Sequence, residues 1–239
     1  MDKNIVILGA GPGLGIALAR HYGQNGYTVA LVARRLPALQ AIADQLAAEG
    51  ITVQAFCADL RDTAAVVTVL SEIQACFGHI DTLYYGPNAP ETFVPASTLQ
   101  VDAIKDKIEL FLYGLVAAVN AVLPSMRMVG QGAILVGLGG SAAVGLPYMS
   151  GPGPALAGAR NYLHSLHGEL AAEGIYVGML RLSAVIKNSG WQTGIRSGAI
   201  PLNLPAGYEI PEVDAAVLAE MLFHAAKHDR QTAELVYPA

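Results

Sequence analysis

The chain has 239 residues, of which 53% are hydrophobic and 14% charged, so it is long enough to bury a large core in a single α/β domain. Its formal net charge is −5 without a basic cluster, which argues against nucleic acid as a partner. Glycines and prolines break the longest uncharged run, between Arg127 and Arg160, so we expect no membrane-spanning helix and no membrane partner.

The first predicted element is a strand, "NIVILGA", that begins almost at the N-terminus. No basic region or cleavage site precedes it, so the sequence predicts no signal peptide. The two cysteines, Cys57 and Cys76, are too few for a disulfide framework and suggest a reducing compartment. We therefore expect a cytoplasmic protein.

Strand-like apolar runs and amphipathic helical segments alternate along the rest of the chain. The strands "YTVALVAR", "ITVQAFCADL", "IDTLYYG", "GAILVGL" and "GIYVGMLRL" are each separated by a helix-length segment. Parallel strands need such crossovers, so the order predicts one α/β domain over residues 1–239 with a doubly wound parallel sheet. The Gly/Pro-rich segment 189–211 has no clear period, and we expect it to form a lid over an active site.

The loop after the first strand is rich in glycine. Its sequence "LGAGPGLG" contains Gly9, Gly13 and Gly15, spaced G-x-x-x-G-x-G, while Leu14 occupies the place of the last glycine in G-x-G-x-x-G. Glycines let a backbone approach phosphates closely, and the following helix N-terminus offers free N–H groups. The loop is therefore a candidate diphosphate site, although a tight strand–helix turn alone would need the same glycines.

This glycine spacing resembles that of the short-chain dehydrogenase/reductase family, and the resemblance extends over nearly the whole chain. "CADL" is similar to the family's adenine-contacting segment, "GHIDTLYYG" to its fourth strand, and "GLVAAVNAVLPSM" to its long interface helix. The resemblance implies a single Rossmann-type domain with a nicotinamide cofactor. It assigns the cofactor contacts to Gly9, Gly13, Leu14, Gly15, Arg34, Arg35, Asp59, Leu60, Gly86 and Asn88.

The end of the second strand indicates which nicotinamide cofactor is used. NAD sites usually have an Asp or Glu there to bind the ribose 2′-hydroxyl. This chain has Ala33, Arg34 and Arg35 instead, and a guanidinium can bind a 2′-phosphate in bidentate fashion. The sequence therefore predicts NADP(H), with Arg34 as the main contact, unless both arginines are simply solvated.

The catalytic residues of the family are replaced in this chain. The family uses a tyrosine as proton donor, a lysine that lowers the pKa of that tyrosine, a serine that positions the carbonyl and an asparagine that supports a water relay. Their positions correspond to Pro152, Leu156, Gly139 and Phe111. Because none of these side chains titrates, the resemblance implies a divergent member whose usual proton transfer does not operate.

Other residues are candidates for the missing chemistry. Tyr148 precedes the vacant tyrosine position by four residues, Ser141 follows the missing serine by two, and Lys187 lies beyond the sixth strand. Each also has a structural interpretation: a packed loop residue, a turn residue and a solvated loop charge, respectively. The histidine pairs lack a third ligand, so we expect no metal site.

The apolar helices suggest a homodimer or homotetramer. We expect the interface to use the helix region around Phe111, including Leu112, Leu115 and Val116, and the helix 155–169. Three functions remain open: an NADP(H)-dependent oxidoreductase acting on an unknown small carbonyl compound or activated alkene, an inactive NADP(H)-binding sensor or partner subunit, and a structural relative with an empty cleft. The family resemblance favours the first.

Overall fold

The computed structural model describes residues 3–88, 93–200 and 210–239. Its centre is a seven-stranded parallel sheet with the order β3-β2-β1-β4-β5-β6-β9. The strands of this sheet are β1 (Lys3–Leu8), β2 (Tyr27–Ala33), β3 (Val53–Cys57), β4 (Thr82–Tyr85), β5 (Gly132–Gly139), β6 (Ile175–Leu182) and β9 (Glu234–Tyr237). The chain reverses its direction of travel across the sheet between β1 and β4. The predicted doubly wound parallel α/β fold is therefore confirmed.

Helices cover both faces of this sheet because its strands are apolar on both sides. The larger helices are α1 (Leu14–Gln24), α2 (Leu36–Ala48), α3 (Thr63–Phe77), α4 (Val101–Ile108), α5 (Gly114–Val129), α6 (Gly153–Leu170) and α8 (Ala215–Lys227). On one face α1, α2 and α8 form a core with alternate strand residues such as Ile5 and Leu31. On the other face α3, α5 and α6 form a second core around Val6 and Ile134.

A π-helical turn, Glu109–Tyr113, joins α4 to α5 into one continuous helical run. By length and composition alone, the run Val101–Val129 is apolar enough to cross a membrane, a property that the sequence pattern did not indicate. Leu115, Val119 and Val122 are fully buried in the core that this run shares with the sheet. The run therefore packs as the core helix of a folded domain does.

The predicted lid segment contains more regular structure than its sequence suggests. A short helix, α7 (Gly190–Arg196), begins at the N-cap Ser189. Two further strands, β7 (Val185–Ile186) and β8 (Glu212–Val213), pair in parallel on either side of the lid segment. Residues 201–209 of the predicted lid lie outside the described residues.

Candidate functional site

A cleft of about 690 Å³ lies along the carboxyl ends of the parallel strands. It spans the switch point between β1 and β4, where open α/β sheets bind ligands. Most of the residues predicted to hold the cofactor line it: Gly9, Leu14, Gly15, Arg34, Arg35, Asp59, Leu60, Gly86 and Asn88. Residues expected at two different ends of a ligand thus share one continuous groove.

The glycine-rich loop forms the middle of the cleft. A Cβ atom at Gly9 would lie 2.7 Å from the backbone of Gly86 and Pro87, so the loop and the end of β4 approach each other closely. Gly13 has φ 101° and is the N-cap of α1, although it does not line the cleft. A Cβ atom at Gly11 would meet no atom within 4 Å, so this part of the loop faces open space. The loop therefore combines tight backbone packing with room for a ligand at the start of α1.

Two arginines mark one end of the cleft, beyond β2. Arg34 and Arg35 are both exposed and line the groove. Within residues 3–88, 93–200 and 210–239, neither guanidinium forms an ion pair. The end of β2 thus presents two cationic groups without a carboxylate partner, which suits an anionic group such as a phosphate.

Asp59 lies just beyond β3, the strand that pairs with β2. Its carboxylate accepts a hydrogen bond of 3.1 Å from the backbone N–H of Arg61. The guanidinium of Arg61 lies 3.9 Å from Asp59 and 3.2 Å from Asp106, so it is held mainly by the latter. Asp59 also lines the cleft, and its other oxygen accepts no hydrogen bond from a described residue.

The opposite end of the cleft is apolar. The four positions that correspond to the family's catalytic residues, Phe111, Gly139, Pro152 and Leu156, all line it. A Cβ atom at Gly139 would lie 3.5 Å from the Leu156 side chain, so these two positions are adjacent. Phe111 lies in the π-helical turn and is 7% exposed. The sequence register thus places four non-titrating residues together in one part of the groove.

The candidate replacements for these residues have different positions. Ser141 lines the cleft. Tyr148 has φ 63°, is 63% exposed and is not among the lining residues. Lys187 forms an ion pair of 3.5 Å with Asp214 and also lies outside the lining. The role of Tyr148 as proton donor stays a prediction.

Tyr84 is a lining residue that the sequence motifs did not single out. It is 3% exposed, and burial raises the pKa of its phenol well above the ordinary value. A side chain at Gly86 or Gly137 would overlap its hydroxyl end, so the two glycines make room for the ring. The sequence does contain an indication of this arrangement. A tyrosine lies in a central strand, and glycines occur both just after that strand and in the neighbouring strand.

The lid contributes Trp191, the single tryptophan of the chain, to the lining. Its indole Nε1 is buried and has no hydrogen-bond partner in the described part of the chain. Gln192 fixes the helix that carries it, because its amide donates to Glu212 at 2.7 Å and accepts from the Asn188 N–H at 2.8 Å. The lid helix is thus tied to β8 beside the cleft.

Arg160 lies in the helix 155–169 that was expected at a subunit interface, and its guanidinium forms a bidentate ion pair with Glu234 of β9. Arg181 and His164 also contact this carboxylate, at 2.7 and 3.3 Å. Leu115 was expected at the same interface, but it is fully buried in the core.

Among the described residues no group of three or more metal-ligating side chains occurs.

Comparison with known proteins gives matches across most of the chain. A family model for short chain dehydrogenases matches residues 3–192. Sulfoacetaldehyde reductase 2 of Chromohalobacter salexigens is 30% identical over 182 residues, which cover 74% of this chain and 70% of that protein. Dehydrogenase/reductase SDR family member 7B of Mus musculus is 27% identical, with coverage of 87% and 67%.

Solved structures resemble this chain over nearly its full length. An alcohol dehydrogenase from the archaeon Thermococcus sibiricus, complexed with 5-hydroxy-NADP, superposes with a TM-score of 0.80. Its sequence is 26% identical, and the alignment covers 98% of this chain and 95% of that one. ElxO with NADP bound superposes with a TM-score of 0.84 at 20% identity, covering 99% and 96%, and shares the fold.

Proposed function

The chain belongs to the short-chain dehydrogenase/reductase family, and on this premise we propose that it is an NADP(H)-dependent oxidoreductase. Its substrate is a small carbonyl compound or an activated alkene. The observation that carries the proposal is the continuous cleft, which joins the cationic end at Arg34 to the glycine loop and to the apolar end at Leu156. Structures similar to this chain include an alcohol dehydrogenase complexed with 5-hydroxy-NADP and a short-chain oxidoreductase in complex with NADP.

The residues present fit NADP(H). The space in front of Gly11 and the N-terminus of α1 suit a diphosphate, because glycines admit it closely and the helix N–H groups favour negative charge. Arg34 would bind the 2′-phosphate, and Asp59 would accept a hydrogen bond from the adenine amino group. When bound, NADPH supplies a hydride to the carbon that is reduced.

The chain's own residues would act by holding and shielding the substrate. Phe111 and Leu156 line the apolar end, and Ser141, whose hydroxyl lies beside Gly139, can orient a carbonyl oxygen. We assign the proton to a water molecule admitted near Ser141. Tyr148 is the alternative donor, and its exposure makes it accessible to a proton from solvent.

A second function, an NADP(H)-binding sensor or partner subunit without turnover, is favoured by one observation. The cleft positions that correspond to the family's catalytic residues hold only groups that cannot transfer a proton: Phe111, Gly139, Pro152 and Leu156. A protein that retains the cofactor contacts and has lost the acid would bind NADPH and leave it unreacted.

A substrate panel distinguishes the two functions. The protein is incubated with NADPH and a series of aldehydes, ketones and conjugated enones, and the loss of NADPH absorbance is followed. Turnover with at least one substrate supports the oxidoreductase, and NADPH binding without turnover across the panel supports the sensor. In the first case Tyr148→Phe should retain the wild-type rate if water supplies the proton, whereas a large loss would assign the proton to Tyr148.

A further inference from the structure

The Tyr84 phenol occupies a slot that two glycines create. Gly86 follows β4, and Gly137 lies on the neighbouring strand β5; a Cβ atom at Gly137 would lie 2.7 Å from the Tyr84 hydroxyl oxygen. All three residues line the cleft. Any side chain at either glycine would displace the ring, so the hydroxyl is held at the carboxyl end of the sheet by its surroundings.

The Tyr84 hydroxyl differs from that of its neighbour in the chain. Tyr85 points to the opposite face of the sheet, where its hydroxyl donates to the backbone carbonyl of Leu110. No hydrogen bond joins the Tyr84 hydroxyl to another described residue. Because burial raises the pKa of Tyr84, the phenol stays protonated at neutral pH and can donate a hydrogen bond.

The slot lies on a defined side of the switch point. Arg34 and Asp59 follow β2 and β3, on one side of β1, whereas Tyr84 and Gly137 belong to β4 and β5, on the other. A dinucleotide bound across this point, with its diphosphate at α1, has its two halves on opposite sides. If the 2′-phosphate binds at Arg34, the nicotinamide half lies on the side of Tyr84.

We propose that Tyr84 is a cofactor-binding residue whose hydroxyl forms a hydrogen bond with the nicotinamide half of NADP(H). This inference rests on the proposed function, because it requires the cleft to bind the dinucleotide. It explains why the hydroxyl of a tyrosine that is otherwise buried opens into the cleft from a glycine slot, since a ligand in the cleft can accept its hydrogen bond.

The test compares the whole dinucleotide with a fragment that lacks the nicotinamide half. Calorimetric titrations of the wild type and Tyr84→Phe are made with NADPH and with adenosine 2′,5′-bisphosphate. We expect Tyr84→Phe to weaken NADPH binding by about 5- to 10-fold, the effect of one hydrogen bond, and to leave binding of the fragment unchanged. Quenching of the Trp191 fluorescence by NADPH gives a second measure of the same dissociation constant.

Tyr22→Phe is the matched control, because Tyr22 is also a buried tyrosine but does not line the cleft. It should bind both ligands as the wild type does. Equal NADPH affinity of the wild type and Tyr84→Phe would overturn the assignment of Tyr84, as would an equal loss for NADPH and the fragment. Failure of the wild type to bind NADPH would instead refute the proposed function itself.

Discussion

Glycine is required at position 9 for two reasons, its backbone conformation and its close contact with neighbouring backbone. Its φ of 93° lies in the left-handed region, and a Cβ atom there would overlap the backbone of Gly86 and Pro87. Gly11 in the same loop has a Cβ direction that points into open space. Gly9 is therefore required for the structure of the loop, whereas Gly11 leaves space for a ligand.

We expect Gly9→Ala to lower the free energy of unfolding by about 2–4 kcal/mol, because both backbone strain and overlap must be relieved. Gly11→Ala should leave it almost unchanged and weaken NADPH binding, since the added methyl group enters the cleft. Urea denaturation followed by circular dichroism measures the stability of both variants. Equal destabilisation by the two substitutions would contradict this account of the loop.

Arg34 is the residue on which the cofactor preference depends. Replacing it in Arg34→Asp should weaken NADPH binding by about 10- to 100-fold, because a charge-assisted contact is replaced by repulsion of the 2′-phosphate. NADH, which lacks that phosphate, should bind about as well as to the wild type. Arg35→Asp is the comparison variant and should have the smaller effect. A similar loss for both cofactors would show that Arg34 does not read the 2′-phosphate.

Most of the residues that the sequence predicted to hold the cofactor line the cleft, because their positions depend on local sequence. The position of a glycine loop after a strand follows from the course of the backbone. The same holds for an arginine at the end of a strand. Tyr84 could not be predicted this way. Its position depends on the space left by Gly86 and Gly137, which come together only when β4 and β5 pair. Tyr148 shows the reverse case, since proximity in sequence to Pro152 did not place it in the cleft lining.

At the scale of elements, one partly buried carboxylate, that of Glu234, joins β6, β9 and α6. The hydrogen bonds from Arg160 and from Arg181 lower the pKa of Glu234 to about 2, below its ordinary value of 4.5. A carboxyl group with a lowered pKa in the folded state stabilises the fold fully above the unfolded value. That stabilisation is lost as the pH falls from about 4.5 towards 2.

Glu234→Gln should therefore lower the free energy of unfolding at neutral pH by about 1–2 kcal/mol, less than the pKa shift alone implies because solvent screens part of the interaction. The difference from the wild type should shrink between pH 4.5 and 2. Glu173→Gln, at the more exposed pair with Arg127, is the control and should change stability little. A difference that stays constant down to pH 2 would contradict the assigned pKa.

The sequence pattern predicted the long helices and strands better than the segments that connect them. A helix was expected directly after the glycine loop, and α1 extends over Leu14–Gln24, because a continuous apolar face stabilises a helix where it packs on the sheet. Helix α7 was missed, since its stability comes from the Ser189 cap and from the Gln192–Glu212 contact, which joins residues far apart in the segment. A contact between residues far apart in the sequence leaves no periodic pattern of apolar residues from which a helix could be predicted.

At the scale of the whole molecule, the outer face of α5 and its π-helical turn remains apolar. Tyr113 is 55% exposed there, and Leu112, Val116 and Ala117 form a shallow depression with it. Phe111 itself faces the cleft, so the predicted interface around it would use these neighbours instead. We propose that this face joins two copies of the chain, as apolar helix faces do in symmetric oligomers.

Tyr113→Asp should convert the protein to a smaller species, because a charge would be buried without a partner in the interface. Size-exclusion chromatography with light scattering gives the mass of each variant. Leu36→Asp, at an exposed apolar residue of α2 on the opposite face of the sheet, should leave the mass of the wild type unchanged. A wild-type protein with the mass of one chain would refute the interface.

The central claim is that the cleft binds NADP(H), with the phosphate-bearing half at Arg34. A calorimetric titration of the wild-type protein with NADPH, repeated with NADH, tests it most directly. The account predicts one NADPH per chain with a micromolar dissociation constant, at least about tenfold tighter than NADH. Equal affinity for the two cofactors would contradict the role of Arg34, and absence of binding to either would contradict the cofactor site itself.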